Sequence, residues 1–329
     1  MPSRISSSIG GMSVLVLAVG LASACGSSGS GSGSSAKTME LIVGTKSDDF
    51  YVTMECGAQN EAKKLGVKLT VTGPATFSVP QQKPLIDAAQ VSQPGALLIA
   101  PTDSAALDPD LLKVTKAGSK LIFVDTASAN AALGLSRISS DNAAGGKLAA
   151  DSLGQLLGGK GTVAVISVAK GVSTTDARVT GFQQEMAAKY PGITLLPEQT
   201  DDADSVTTAA SFAEGDITGH PALNGIFAAN VITAEGAATG IQHAGKSGKV
   251  KLATFDADTT QVADLKNGSL QLAIAQEPAV EGADAVQQGL NAIEGKPVTK
   301  QIATPLMAIT PQNMNSPAIK PFIYASTCG

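Results

Sequence analysis

The chain has no tryptophan, three tyrosines and eight phenylalanines in 329 residues, so any stacking ring must come from a handful of positions. Charge is also sparse, at 16% of residues with a formal net charge of −5, and no basic run stands out. A nucleic-acid surface needs clustered lysine and arginine, so that partner is not expected. The only two histidines, His220 and His243, fall near predicted helix ends and far from other ligand types, so no metal site is indicated. No Gly-x-Ser-x-Gly elbow occurs and no serine has a plausible His–Asp set, so no catalytic residues are assigned and an enzyme is not expected. No cofactor is expected either.

Long apolar runs are missing too. Residues 12–22 read MSVLVLAVGLA, shorter than the roughly 20 residues a membrane-spanning helix needs, and no longer run follows. The run suits the apolar region of an export signal, with Arg4 the only basic residue before it. Ala22-Ser23-Ala24-Cys25 then resembles a bacterial lipoprotein box, which implies cleavage before Cys25 and a lipid on its sulfur. Residues 26–35 are only glycine and serine. Such a chain is a flexible coil, and from Cys25 to Thr38 it would span roughly 20 Å. The expected location is the outer face of the cell membrane, with the membrane touched only through the lipid.

Cysteine is limited to three. With Cys25 lipidated, Cys56 and Cys328 remain, and two cysteines in an exported chain invite a disulfide. Two separate free thiols are the alternative. The tail after Ile309 is long enough to return to the start of the body.

What remains after residue 38 is about 290 residues, natural for two domains. Short apolar runs alternate with helical patterns. ELIVGT, VKLTVTG, ALLIAPTD and KLIFVDT read as strands, separated by helices over Phe50–Gly66, Gln81–Val91 (entered near Pro84) and Ala105–Ala117. The series then restarts. A helix over Ala143–Leu157 leads to the strand GTVAVISV, and Asp176–Tyr190 is helical. ITLLPEQT, LNGIFAAN, KVKLATFDAD and SLQLAIAQEP follow as strands with helices between, and Pro278–Ile293 is a last long helix. Repeated strand–helix alternation predicts parallel sheets with right-handed crossovers, hence an α/β protein of two doubly wound domains.

In open α/β sheets ligands bind at the carboxyl ends of the strands. The polar residues there are Ser47 and Asp48, Asp103, Asp125, Thr174 to Arg178, Asn230, Asp256 and Gln276. Each alone is as readily a cap or turn residue; their recurrence in both halves points to a shared cleft. Carboxylates and amides with one arginine suit a polyhydroxylated ligand, because each hydroxyl both donates and accepts. Phe50 and Tyr51 are candidate stacking rings, while Phe255 is assigned to the core.

Three motifs are set aside. Gly240–Ser247 matches the phosphate-loop spacing GxxxxGK[ST], but there a helix ends and a strand follows, the reverse of the order that cradles phosphate. The acidic groups Asp201, Ala203, Ser205 and Asp256, Ala257, Asp258 lack the glycine and glutamate of a calcium loop.

Several segments in order, TKSDDFYVTMECGAQNEAKKLG, APTDSAAL, FVDT, SSDNAAGGKLAAD, DARVTGF, IFAAN, FDAD and AIAQEP, resemble the ribose-binding branch of the type I periplasmic-binding-protein family. The resemblance covers nearly all of Leu41–Ile309. It implies two similar lobes joined by three strands and closing on a sugar, with crossings near Ser139–Ser140, Gln276 and Pro305. Residues 1–24 then read as signal peptide and 25–38 as lipidated cysteine and tether. The first lobe is 39–139 plus 277–305, and the second is 140–276 plus 306–329. Carried over, the binding positions are Ser47, Asp48, Phe50, Tyr51, Asp125, Arg178, Asn230, Asp256 and Gln276.

The departures bear on the ligand. Thr126, itself still a candidate ligand contact, stands where the family has an arginine, Ser47 and Asp48 where it has asparagines, Ala203 where it has an aromatic residue, and Asp176 where it has another arginine. Fewer cations and rings favour a small neutral polyol or pentose-sized ligand, open-chain in preference to a pyranose. The expected function is a monomeric solute-binding lipoprotein handing its ligand to the permease and ATPase of an ABC importer. A receptor of the same fold feeding a chemotaxis or sensor protein is the alternative.

Overall fold

The computed structural model describes residues 37–201 and 204–328. Cys25 and Ala203, on which two of the readings above fall, lie outside the described residues.

The first half builds β1 (Thr38–Ile42), α1 (Asp49–Leu65), β2 (Lys68–Thr72), α2 (Val79–Ser92), β3 (Ala96–Ile99), α3 (Asp108–Lys116), β4 (Lys120–Val124) and β5 (Ser136–Ser140). The second builds α4 (Asn142–Leu156), β6 (Gly161–Val168), α5 (Ser173–Lys189), β7 (Ile193–Leu195), β8 (Gln199–Asp201), α6 (Val206–Gly219), β9 (Leu223–Ala228), α7 (Val231–His243), β10 (Lys251–Phe255), α8 (Thr259–Asn267) and β11 (Leu272–Gln276). Then come α9 (Pro278–Ile293), β12 (Gln301–Thr304), β13 (Leu306–Ile309) and a 3₁₀ turn over Pro317–Phe322.

Local chemistry accounts for the ends of these elements. The side chain of Asp48 caps α1 by accepting from the Phe50 amide, Lys63 and Lys64 lie in its last turn, and Gly66 ends it in the left-handed conformation at φ 65°. The predicted strand ITLLPEQT is two short strands, because Pro197 between them has no N–H for the ladder; both β7 and β8 pair with β6. Helix α2 begins at Val79, one turn before the expected entry, with Pro80 in its first turn and Pro84 retained inside.

Among the described residues the strands form two sheets, ordered β12-β5-β4-β3-β1-β2 and β13-β11-β10-β9-β6-β7, with β8 also on β6. All pairs are parallel except β11 with β13. Every residue of β3 and β11 is buried, as expected of strands covered by helices on both faces. Each sheet carries an apolar cluster on either side.

The chain passes between the sheets three times: at Asp141 between β5 and α4, at Glu277 between β11 and α9, and at Pro305 between β12 and β13. The last residues do not stay with the second sheet. Ile319 and Phe322 enter its core, but Tyr324 packs in the core of the first, and Cys328 is bonded to Cys56 of α1 with the two Cα atoms 5.2 Å apart. The phosphate-loop spacing falls from the end of α7 through a turn to β10, so no helix N-terminus faces its glycines.

Candidate functional site

Two aspartates occupy matching places in the two lobes. Asp125 directly follows β4 and Asp256 directly follows β10. Both adopt left-handed backbone, at φ 62° and 74°. Each amide donates at 2.8 Å to the neighbouring strand, Asp125 to Ile138 O and Asp256 to Ile274 O. A non-glycine residue in that conformation carries strain of order 1–2 kcal/mol. Here the last ladder bond holds it and turns the carboxylate into the space between the sheets. Each carboxylate then accepts from a buried tyrosine, Asp125 Oδ2 from Tyr51 OH at 2.7 Å and Asp256 Oδ1 from Tyr324 OH at 2.8 Å.

Around these two groups lies a cavity with about 400 Å³ of empty space, part of it open to solvent. Of the expected residues, Asp48, Phe50, Tyr51, Asp125, Thr174, Arg178, Asn230, Asp256 and Gln276 line it. Three do not. Ser47 is exposed and shares its hydroxyl with Thr45. Asp103 caps the turn after β3, accepting from the amides of Ala105 and Ala106. Thr126 is buried, but its hydroxyl is spent on the Pro101 carbonyl at 2.7 Å. Phe255 is a core ring, as assigned, with the Arg178 guanidinium stacked 3.9 Å above its centre.

Thr175, inside the expected stretch Thr174 to Arg178, lines it as well, and the structure adds Phe77, Val168, Val172 and Asp204. Phe77 lies five residues beyond the end of β2, out of reach of a rule that takes only the residues at a strand terminus, and its ring stacks on Tyr51. Asp204 lies three residues beyond the end of β8, within the acidic stretch that lacks the glycine and glutamate of a calcium loop.

Arg178, 3% exposed, is held from two sides. Its Nε donates to Asn142 Oδ1 at 2.7 Å and its Nη1 to Ala229 O at 2.9 Å, with Asp256 Oδ2 at 3.7 Å. Asn142 reaches it because α4 and α5 approach closely: a Cβ on Gly146 would stand 2.0 Å from the Arg178 carbonyl oxygen. Asn230 begins α7 as its cap and donates through Nδ2 to Asp204 at 3.0 Å. Gln276, 1% exposed, donates through Nε2 to Asp256 Oδ1 at 2.6 Å, while its Oε1 has no partner among the described residues.

Burial shapes the charge of the site. It lifts Asp125 to about 6 against the pull of Arg178 and the Tyr51 bond, and lifts Asp204 to about 6 against the Asn230 bond. It also raises Asp48 well above the usual carboxylate range, assisted by the charge of Asp256. Four carboxyl groups face one guanidinium. That set offers neutral hydroxyls both acceptors and a donor.

At the mouth the lobes touch. Ser104 N donates to Gly171 O at 2.8 Å and Ala127 N to Ser173 Oγ at 3.0 Å. Gly171 sits at φ 101°, and a Cβ there would lie 2.8 Å from Asp103 Oδ2.

Two parallel-sheet lobes with three crossings and a polar cleft define a two-lobed solute-binding protein. The chain belongs to the periplasmic-binding-protein family, whose domain model matches residues 39–297. Members of this family bind their solutes and do not transform them. The chain is 31% identical over 269 residues to the ribose import binding protein RbsB of Bacillus subtilis, covering 82% of this chain and 86% of that one. It is also 31% identical to RbsB of Escherichia coli, covering 84% and 91%. Among solved structures it is similar to an ABC transporter solute-binding protein of Agrobacterium vitis bound to α-D-tagatopyranose. The TM-score there is 0.85 and the identity 39%, covering 88% of this chain and 99% of that one. A carbohydrate-transporter solute-binding protein of Agrobacterium radiobacter in complex with D-arabinose gives a TM-score of 0.83 at 28% identity, covering 87% and 98%.

Proposed function

We propose that this protein binds a neutral monosaccharide, of pentose to hexose size, outside the cytoplasm and delivers it to an ABC importer. The observation that carries this reading is the cavity itself. It is lined from the strand ends of both lobes by Asp48, Asp125, Asn230, Asp256 and Gln276 around a single arginine. The relatives named for ribose import and the neighbours bound to tagatose and arabinose support the same ligand class.

The expectation of an open chain has two grounds, a ring-oxygen donor missing at Thr126 and a stacking wall missing at Ala203. Phe77 supplies a stacking ring at the cavity, so the ring form of the sugar is the better reading. Ligand entry requires the lobes to part and reclose, since the Ser104–Gly171 and Ala127–Ser173 bonds cross the mouth. Anchoring through a lipid on Cys25 is part of the proposal, on the strength of the small-residue box, and Cys25→Ser should release the protein from membranes.

The test is thermal-shift and calorimetric titration with ribose, arabinose, allose, tagatose and the tetritols, pentitols and hexitols. A ligand at a hundred times its Kd should stabilise the fold by about 2.7 kcal/mol. Small-angle scattering should show compaction on binding. Absence of stabilisation by every sugar and polyol would reject the reading.

A further inference from the structure

The second-lobe carboxylate is held by a residue that belongs to no helix of that lobe. Tyr324 OH donates to Asp256 Oδ1 at 2.8 Å and accepts from the Gln276 amide at 3.3 Å. With Oδ1 also taking the Gln276 side-chain N–H at 2.6 Å, the Gln276 amide plane is fixed. Its Oε1, buried and unpartnered among the described residues, is thereby left for a ligand hydroxyl. Tyr51 does the corresponding work for Asp125 from within α1.

Tyr324 reaches this place on a tail secured at both ends. Upstream, Ile319 and Phe322 are packed in the second-lobe core, and the Tyr324 amide donates to Ala257 O at 3.0 Å. The ring of Tyr324 meets Phe50 of α1 edge-on at 5.7 Å. Downstream, residues 325–328 are exposed. Ala325 exchanges bonds with the Thr53 hydroxyl, at 2.7 Å from its amide and 3.3 Å to its carbonyl, and Cys328 is joined to Cys56 on the same helix. Exposed terminal residues with so few contacts fray unless tied down; the disulfide is the tie.

We propose that the C-terminal tail is a structural arm of the sugar site, with Tyr324 positioning Asp256 and Gln276 and the Cys56–Cys328 bond keeping Tyr324 in place. The inference rests on the sugar-binding reading, and its test separates the two. Tyr324→Phe keeps the ring on Phe50 and removes only the hydroxyl. Cys56→Ser with Cys328→Ser frees the tail. Affinity is measured by calorimetry for the tightest sugar of the panel above. Tyr324→Phe should bind about tenfold more weakly and the double serine variant about threefold. The triple variant should bind no more weakly than Tyr324→Phe within about twofold, because the disulfide acts through the tyrosine; a merely structural role would instead add its loss. Wild-type affinity in Tyr324→Phe, or additive losses in the triple variant, overturns the proposal. If the wild type binds no sugar, the sugar reading falls and the arm is judged by hydrogen exchange. Faster exchange of the Gln276 and Ala325 amides in the double serine variant supports it, and unchanged protection overturns it.

Discussion

The hydroxyl of Ser140 donates to the carboxylate of Glu281 at 3.0 Å, joining the first crossing between the lobes to the second. Thr304, at the third crossing, donates to the same oxygen at 2.8 Å and lies 3.0 Å from Ser140 Oγ. Glu281 is fully buried in the first turn of α9, and its other oxygen has no partner among the described residues. One acidic side chain thus ties together all three segments about which the lobes would pivot.

Burial first, and the charge of Asp125 second, raise Glu281 to about 8. The unfolded chain releases this proton near pH 4.5, whereas the folded protein keeps it to about pH 8. The stabilisation is therefore complete below pH 4.5, declines as pH rises, and is gone above about 8. Its full slope is about 1.4 kcal/mol per pH unit. Asp125 and Asp204, raised to about 6, add to the same fall at the acidic end. Chemical denaturation of the unliganded protein should show stability dropping from pH 5 to pH 8. Glu281→Gln, which keeps both acceptor bonds and has no proton to lose, should make the fall between pH 6 and 8 shallower, the remainder coming from Glu235, raised to about 7, and from Asp48. A wild-type curve that rises across this range would contradict the assignment.

Asn142→Ala should weaken sugar binding while leaving the fold intact. Asn142 receives the Arg178 Nε–H at 2.7 Å and is itself fixed by donating to Ser140 O at 3.0 Å. Its loss leaves a buried guanidinium N–H unmatched and its plane free to tilt, a cost of about 1.5–3 kcal/mol for a bond to a charged group. Calorimetry should show at least a tenfold loss of affinity. Arg178→Lys should be no milder, because a point charge cannot replace the fork that spans Asn142 and Ala229.

Gly171→Ala addresses closure. The residue's left-handed backbone disfavours a Cβ, and Asp103 Oδ2, 2.8 Å from where that Cβ would stand, would have to shift. The variant should favour the parted state, lower the apparent affinity several-fold through that population shift, and show a larger radius of gyration at subsaturating sugar. An affinity equal to wild type would mean that the Ser104–Gly171 contact does not contribute to closure.

Much of this architecture was legible because it is written in short-range signals. Continuous apolar strands such as ALLI, the Asp48 cap and the Gly66 stop made the alternation readable, and strand ends pointed to eight of the lining residues, with Phe50 and Tyr51 offered besides as stacking rings. The misreadings came where a residue's role is set from a distance. Thr126 stands at a strand end but spends its hydroxyl on the Pro101 carbonyl 25 positions away, and Asp103, also at a strand end, caps its own turn instead. Phe77, Asn142 and Tyr324 acquire their roles only through packing against partners 26 to 68 positions away, respectively Tyr51, Arg178 and Asp256. No periodicity encodes such contacts.

Phe77 decides between the ring and open-chain forms of the ligand. Its ring stacks on Tyr51 with centroids 6.4 Å apart and planes 23° from parallel, and it lines the cavity beside Phe50. A pyranose or furanose presents a rigid face of C–H groups that gains from such a wall, whereas an extended polyol is bound mainly through its hydroxyls and must first lose chain entropy. Phe77→Ala removes the wall but none of the hydrogen-bonding groups. It should lower affinity for a ring sugar by about 1–2 kcal/mol and for the matching sugar alcohol by a few tenths at most. Calorimetric titration of wild type and variant with an aldose and its alditol, for example ribose and ribitol, gives this difference directly. A wild type that prefers the alditol, or a variant that loses both ligands equally, would return the open-chain reading to first place.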